Sequence, residues 1–309
     1  MPRYLLYRAL STIPVLLGTT LVIYAAVYAL PGDPVQTLAG PGTVVSDSMA
    51  NAIREHYHLG DPFLVQYGHY LLGLFQGDFG VDLNGNQVAS VIAGSWPVTM
   101  KLALTTWVIM AVMGVGLGVL AALRAGKIID FLVLGGSTLV LGVPYFITAY
   151  VAQIVFGVKL GWLPVSGVTD GWPLSYLVPA SCLALFGLPE VARLTRASVL
   201  ETMRSSFVDT AVAKGLGRRR IMLAHVLRNS LIPVTSMLGV NLGYLLSGTI
   251  LIEGIFNLPG LGFQIYQGIQ LHNGPVVVGI STLLVLVFLL VNLAVDLLYG
   301  VLNPRIDLG

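Results

Sequence analysis

The stretch Pro97–Leu123, PVTMKLALTTWVIMAVMGVGLGVLAAL, carries a single charge, Lys101. A helix needs about 20 apolar residues to cross the hydrocarbon core of a bilayer, and this run is long enough. A globular core does not need so long an uncharged block. Five further stretches have the same character: Ala9–Leu30, Phe131–Val158, Pro173–Ala192, Leu231–Ile252 and Val276–Leu298. Charged residues are 10% of the 309 and hydrophobic ones 56%, against roughly a quarter charged in an ordinary soluble domain. The reading is therefore an all-α membrane protein with six transmembrane helices. The first run is expected to remain as an anchor. It is too long for a signal peptide, and Pro31-Gly32-Asp33-Pro34 offers no small-x-small cleavage site.

Charge orients the spans. With both termini cytoplasmic, Arg3, Arg8, Arg124, Lys127, Arg193, Arg196, Arg204, Lys214, Arg218, Arg219, Arg220, Arg228 and Arg305 lie inside, and only Arg54, Lys101 and Lys159 lie outside. This satisfies the positive-inside rule and predicts a multi-pass protein of the cytoplasmic (inner) membrane. A net charge of +2 gives no support for a nucleic-acid partner. Single cysteines at Ser48 and Ser205, in a Cys182→Ser background, are expected to react with an impermeant maleimide from outside and inside respectively. Reversed labelling would discard this topology.

The chain divides in order into 1–96, the first span plus an acidic outer segment, and 97–309, five spans with a cytoplasmic loop. The outer segment carries Asp33, Asp47, Glu55, Asp61, Asp78 and Asp82 against Arg54. Apolar residues at helical spacing predict short helices at Ser48–Tyr57 and Pro62–Phe75. Pro144 should kink the third span, because it removes a backbone hydrogen bond. Gly114, Gly116 and Gly118, with Gly239 and Gly243, allow close helix approach.

No catalytic engine is legible. Gly126-Lys127 is followed by Ile128 and has no glycine five residues upstream, so it is not a phosphate loop. No Ser–His, paired-Asp or His-Glu-x-x-His arrangement lies at membrane depth, and Asp296 stands alone near the inner interface. Glu190 has Arg193 three residues on, which suggests a local ion pair. His56 and His58 point about 200° apart on a helix and make no metal pair. Cys182 sits among apolar residues and reads as packing. Mid-span polar groups are mainly Asn241 and Gln153, which speaks against an ion-coupled secondary transporter or a channel, the alternative from another class.

The inner segment Arg193–Arg228 is basic, as a solvated face, a lipid-headgroup face or a partner site would be. Within it Ser206-Phe207-Val208-Asp209 fits a capping box that starts a helix. Phe207, Val208, Ala211 and Val212 give that helix one apolar face. Gly215, followed by Gly217, can stop it in the left-handed conformation.

Here the sequence resembles a known family. Asp209-Thr210-Ala211, three residues, then Gly215, with Ile232-Pro233 downstream, resembles the EAA loop of type I ABC importer permeases. Asp209 stands for Glu and Thr210 for Ala. Ala192–Ser198, Thr210–Leu216 and His225–Pro233 are similar to blocks of the dipeptide, oligopeptide and nickel permease branch. So are Leu30–Pro34, Gln66-Tyr67, Gly77–Gly80, Glu253–Gly262 and Asn303–Ile306, so the resemblance runs over nearly the whole chain. Departures are His272-Asn273-Gly274-Pro275, where relatives commonly have Arg-Asp-Tyr-Pro, and Asn303 in place of Asp.

The resemblance implies a type I ABC importer transmembrane domain and a heteromeric complex. Its other members would be a second permease, two nucleotide-binding ATPase subunits and an extracytoplasmic solute-binding protein. It implies no cofactor in this chain, with Mg-ATP on the partner subunits, and cargo such as a dipeptide, a longer peptide, haem or a metal chelate. Phe207, Val208, Asp209, Thr210, Ala211, Val212, Ala213, Lys214 and Gly215 would dock an ATPase subunit, supported by Arg193, Arg196, His225, Arg228 and Asn229. After span 5, Glu253, Phe256, Pro259, Gly260, Leu261 and Gly262 would contact the binding protein as a scoop, or else form a lid on the permease's own outer surface.

Overall fold

The structure is a computed structural model that describes residues 2–28, 35, 46–56, 60–82, 85–164, 166–247 and 249–302. Apolar runs become long helices because only intra-segment hydrogen bonding satisfies the backbone in lipid. The elements are α1 (Pro2–Tyr28), α2 (Asp47–His56), α3 (Phe63–Phe75), α4 (Val88–Leu123), α5 (Ile128–Leu141) and α6 (Tyr145–Ala152). After α6 comes a π-helical turn at Gln153–Lys159, then α7 (Leu174–Met203), α8 (Ser206–Ala213) and α9 (Arg218–Ser247). Last are α10 (Ile250–Ile255), α11 (Leu261–Gln270) and α12 (Gly274–Leu302).

Among the described residues five helices are long and apolar enough to span, in α1, α4, α7, α9 and α12. The segment that would make a sixth is bent into two pieces. α5 and the α6 segment meet at 95° across Gly142-Val143-Pro144. The kink expected at Pro144 is a full interruption, since proline lacks the N–H and disfavours helix at the residue before it. Boundaries also differ from the sequence reading: α4 begins at Val88 and not at Pro97, and α12 runs Gly274–Leu302. α7 continues past Ala192 to Met203, and the fifth span ends at Ser247, with Ile250–Ile255 a separate helix. The two short helices expected between the first two spans are present as α2 and α3. Tyr57, His58, Leu30–Pro34 and Asn303–Ile306 lie outside the described residues, as does the His56 side chain.

By contact the chain forms two compact units. One is Met1–Met100 with Leu246–Leu290, the other Lys101–Leu245 with Val291–Gly309. In the first, α1 packs on α3 through tyrosines. Tyr24 and Tyr67 rings lie 5.7 Å apart, Thr20 Oγ1 and Tyr67 Oη are 2.7 Å apart, and Tyr70 Oη donates to Thr282 Oγ1 at 2.8 Å. A second core joins Val88 of α4, Leu261 and Ile265 of α11, and Val276, Ile280 and Leu284 of α12.

In the second unit α4 and α7 touch at glycines. An added Cβ at Gly114 would lie 2.8 Å from Val191 Cγ1, and one at Gly118 2.6 Å from the Ala192 carbonyl oxygen. Gly239 packs against Val295 in the same way, whereas Gly116 faces open space. Small residues let backbones approach where dispersion, rather than the hydrophobic effect, holds helices together.

Candidate functional site: the short helix after the third long span and the buried carboxylate knot

The helix α8 forms where the sequence places it, but its start differs. Ser205 is the N-cap, with extended backbone (φ −80, ψ 147) and no side-chain cap bond. Its Oγ donates to the Thr202 carbonyl at 2.6 Å, finishing α7 instead. The capping box expected from Ser206 and Asp209 is therefore not formed, because Ser206 is already the first helical residue.

The end is as the glycine requires. Gly215 has φ +72. Its N–H donates to the Val212 carbonyl at 2.9 Å, and that of Leu216 to Ala211 at 3.2 Å. This is the Schellman pair, and glycine takes the left-handed position without a Cβ clash.

The apolar residues divide. Val208 and Ala211 are buried against Ala122 of α4, Val199 of α7, and Ile221 and Val226 of α9, with Leu216 packing alongside. Phe207 and Val212 flank this inward arc and remain 42% and 59% exposed. Asp209, Thr210, Ala213 and Lys214 are exposed too. The helix thus sits on the ends of three long helices, α4, α7 and α9, and leaves a mixed face open.

The supporting residues are placed unevenly. Arg193, Arg228 and Asn229 are exposed, His225 is half-buried, and Asn229 Nδ2 donates to the His225 carbonyl at 2.6 Å. Among the described residues Glu190 and Arg193 form no ion pair. The pair that forms is Arg196 with Asp130, a residue that sequence reasoning passed over. Arg196 Nε donates to Oδ1, and Nη2 donates to Oδ2 at 2.7 Å. Asp130 also accepts the Gly126 N–H at 2.8 Å, so it holds the tight turn before α5 against α7. Ser198 Oγ donates to the Ser230 carbonyl at 2.8 Å and ties α7 to α9.

The outer set behaves differently from expectation. Glu253, Phe256, Gly260, Leu261 and Gly262 are buried, which leaves Pro259 as the exposed member. The fold packs these five inside. Glu253 Oε1 accepts Thr99 Oγ1 at 2.8 Å and Thr249 Oγ1 at 2.6 Å. Oε2 accepts the Phe263 N–H at 3.0 Å, and the Gly262 N–H is a further donor to the carboxylate. Thr99 Oγ1 in turn accepts the Leu261 N–H at 2.8 Å.

The glycines make room for the acid. A Cβ at Gly260 would fall 2.6 Å from Thr99 Oγ1, and one at Gly262 2.7 Å from Ile250 Cα. Burial pushes the Glu253 carboxyl up from its ordinary range, while the Thr249, Phe263, Thr99 and Gly262 donors hold it down. The departure at 272–275 is structural as well. His272 has φ +56, and Asn273 is buried at the start of α12, its N–H donating to the Gly268 carbonyl at 2.7 Å.

The model of binding-protein-dependent transport system inner membrane components matches residues 114–308, and that of the N-terminal part of binding-protein-dependent transport system membrane components matches 1–103. The chain belongs to this family. It is 34% identical over 307 residues to the glutathione transport system permease protein GsiC of Escherichia coli K12, covering 99% of both chains. The Salmonella typhimurium LT2 protein of that name is 34% identical over 308 residues, again with 99% of both covered.

Among solved structures, inward-facing MetNI methionine ABC transporter aligns with a TM-score of 0.56 at 20% identity, over 68% of this chain and 95% of that one. An amino acid ABC transporter solved with histidines gives 0.50 at 14%, over 70% and 94%. These establish the fold as that of an ABC transporter membrane domain. The chain is thus a permease of the dipeptide and oligopeptide branch and not an enzyme, which sets aside the secondary-transporter alternative.

Proposed function

We propose that this permease forms half of an inner-membrane pathway for short peptides, glutathione-like ones included, and that α8 couples it to ATP hydrolysis on separate subunits. The second permease, two ATPases and an outer binding protein complete the complex. The observation that carries this reading is the seating of α8: one face is packed on the inner ends of α4, α7 and α9, and Phe207, Thr210, Val212, Ala213 and Lys214 remain free. A rigid helix so held passes a push from a docked partner to three spans at once. Nucleotide then biases the equilibrium between inward-facing and outward-facing states.

Pro259 and Tyr266, Gln267 and Ile269 of α11 are among the exposed residues that would meet a binding protein. The peptide assignment rests on the similarity to the glutathione permease. The test uses the complex copurified with this chain in proteoliposomes, given its binding protein with glutathione or with a dialanine peptide. ATPase activity is expected to rise several-fold with a peptide-loaded binding protein. Activity indifferent to the binding protein would refute the coupling, and a rise with neither peptide would refute the cargo.

A further inference from the structure

Glu253 is a wholly buried acid with no cationic partner among the described residues, and it lies in α10, the short helix after the fifth span. Its donors come from three places in the chain: Thr99 in α4, Thr249 at the start of α10, and the backbone that opens α11. α11 packs through Leu261 and Ile265 on Val276 and Ile280 of α12. One side chain therefore joins the outer parts of α4 and α10, and through α11 the first turns of α12. Removing it would strand four donors in a dry site, where each unsatisfied group is costly. The glutamine analogue keeps the shape: its carbonyl can accept the two backbone N–H groups while its amide donates to threonine hydroxyls, which turn to accept.

We propose that Glu253 is a positioning residue of the permease, whose carboxylate fastens the α10–α11 hairpin to α4 so that the outer ends of these helices and of α12 move as one body. The hairpin is not a separate flap. This rests on the importer reading and deepens it, because it fixes how the outward face of α11 is presented to a binding protein.

Amide hydrogen exchange and ATPase measurements on the full complex, with and without trapped ATP, test the proposal. In the wild type, the Leu261 and Phe263 amides stay protected in both states. Glu253→Ala loses protection there on the order of a hundredfold, and the ratio of binding-protein-stimulated to basal ATPase falls towards one. Glu253→Gln restores most of both. A structural role alone would lower complex yield in Glu253→Ala and leave the stimulation ratio of the surviving complexes unchanged, which overturns the positioning role. Protection lost in the wild type on ATP trapping would show a swinging flap and overturn the single body. No stimulation in the wild type would refute the importer reading and the role in docking, while the exchange arm still decides the fastening.

Discussion

Ala211→Asp is expected to unseat α8, and Val212→Asp to leave it seated but, on the proposed coupling role, undocked. The two side chains are neighbours in sequence and part of the same apolar pattern, yet Ala211 is 5% exposed and Val212 59%. An aspartate at 211 enters the cluster of Ala122, Val199, Ile221 and Val226, which offers a carboxylate no partner. The cost is on the order of 3 kcal/mol. That exceeds what a helix of eight residues can hold against without its tertiary packing, so the loop opens.

At 212 the carboxylate stays in water until a partner covers it, so the penalty falls on docking. Phe207→Asp should act in the same way from the other flank. Gly215→Val loses about 1–2 kcal/mol at the left-handed turn and misdirects the exit to Leu216. The measurements are limited proteolysis of the 205–217 loop, ATPase-subunit copurification and uptake. Ala211→Asp should show a cleaved loop and lost uptake. Val212→Asp should show an intact loop, fewer bound ATPase subunits and lower uptake. Full retention of ATPase subunits and uptake in both Val212→Asp and Phe207→Asp would refute the outward face as the docking surface.

Arg196→Ala is expected to be the most damaging single change at the inner end of the spans. It leaves the buried Asp130 carboxylate with the Gly126 N–H alone. Breaking one side of a buried pair is worse than removing both, because the remaining charge is uncompensated. Asp130→Asn should cost less, and Arg196→Ala combined with Asp130→Asn should melt above Arg196→Ala. Arg196→Lys should fall between, since an ammonium cannot make the two-pronged contact. Melting temperatures of the detergent-solubilised complex check the order. Simple additivity of the two single changes would mean that the pair does not hold the turn.

The outer segment shows where sequence reasoning stops. Glu253 follows an apolar run and precedes a proline-glycine turn, the usual setting of a solvated acid. Nothing local says otherwise. Its partner Thr99 is 154 residues away, at the start of the stretch that first revealed the membrane. The turn motif was legible, but its purpose was not: Gly260 is small because Glu253 and Thr99 occupy the space beside it, and Gly262 because the Ile250 backbone does. Asp130 was missed for the same reason. It lies 66 residues from Arg196 and reads from sequence as an ordinary acid in the first turn of a helix.

What the sequence determined by itself are properties that add up along the chain or sit in one residue's backbone. Span positions follow from summed transfer free energy, the expected orientation from the basic residues that flank them, a bend at Pro144 from its missing N–H, and the helix stop from Gly215. What only the tertiary structure decided is how side chains with the same hydropathy are shared between inside and outside. Phe207, Val208, Ala211 and Val212 cover a wider arc of α8 than its seat, so periodicity could not say that Val208 and Ala211 would fill it. Nor could it say that an acid after a span would be sealed among threonines and backbone donors. Those outcomes depend on contacts between distant segments, which leave no periodic mark in the chain and exist only when the helices pack.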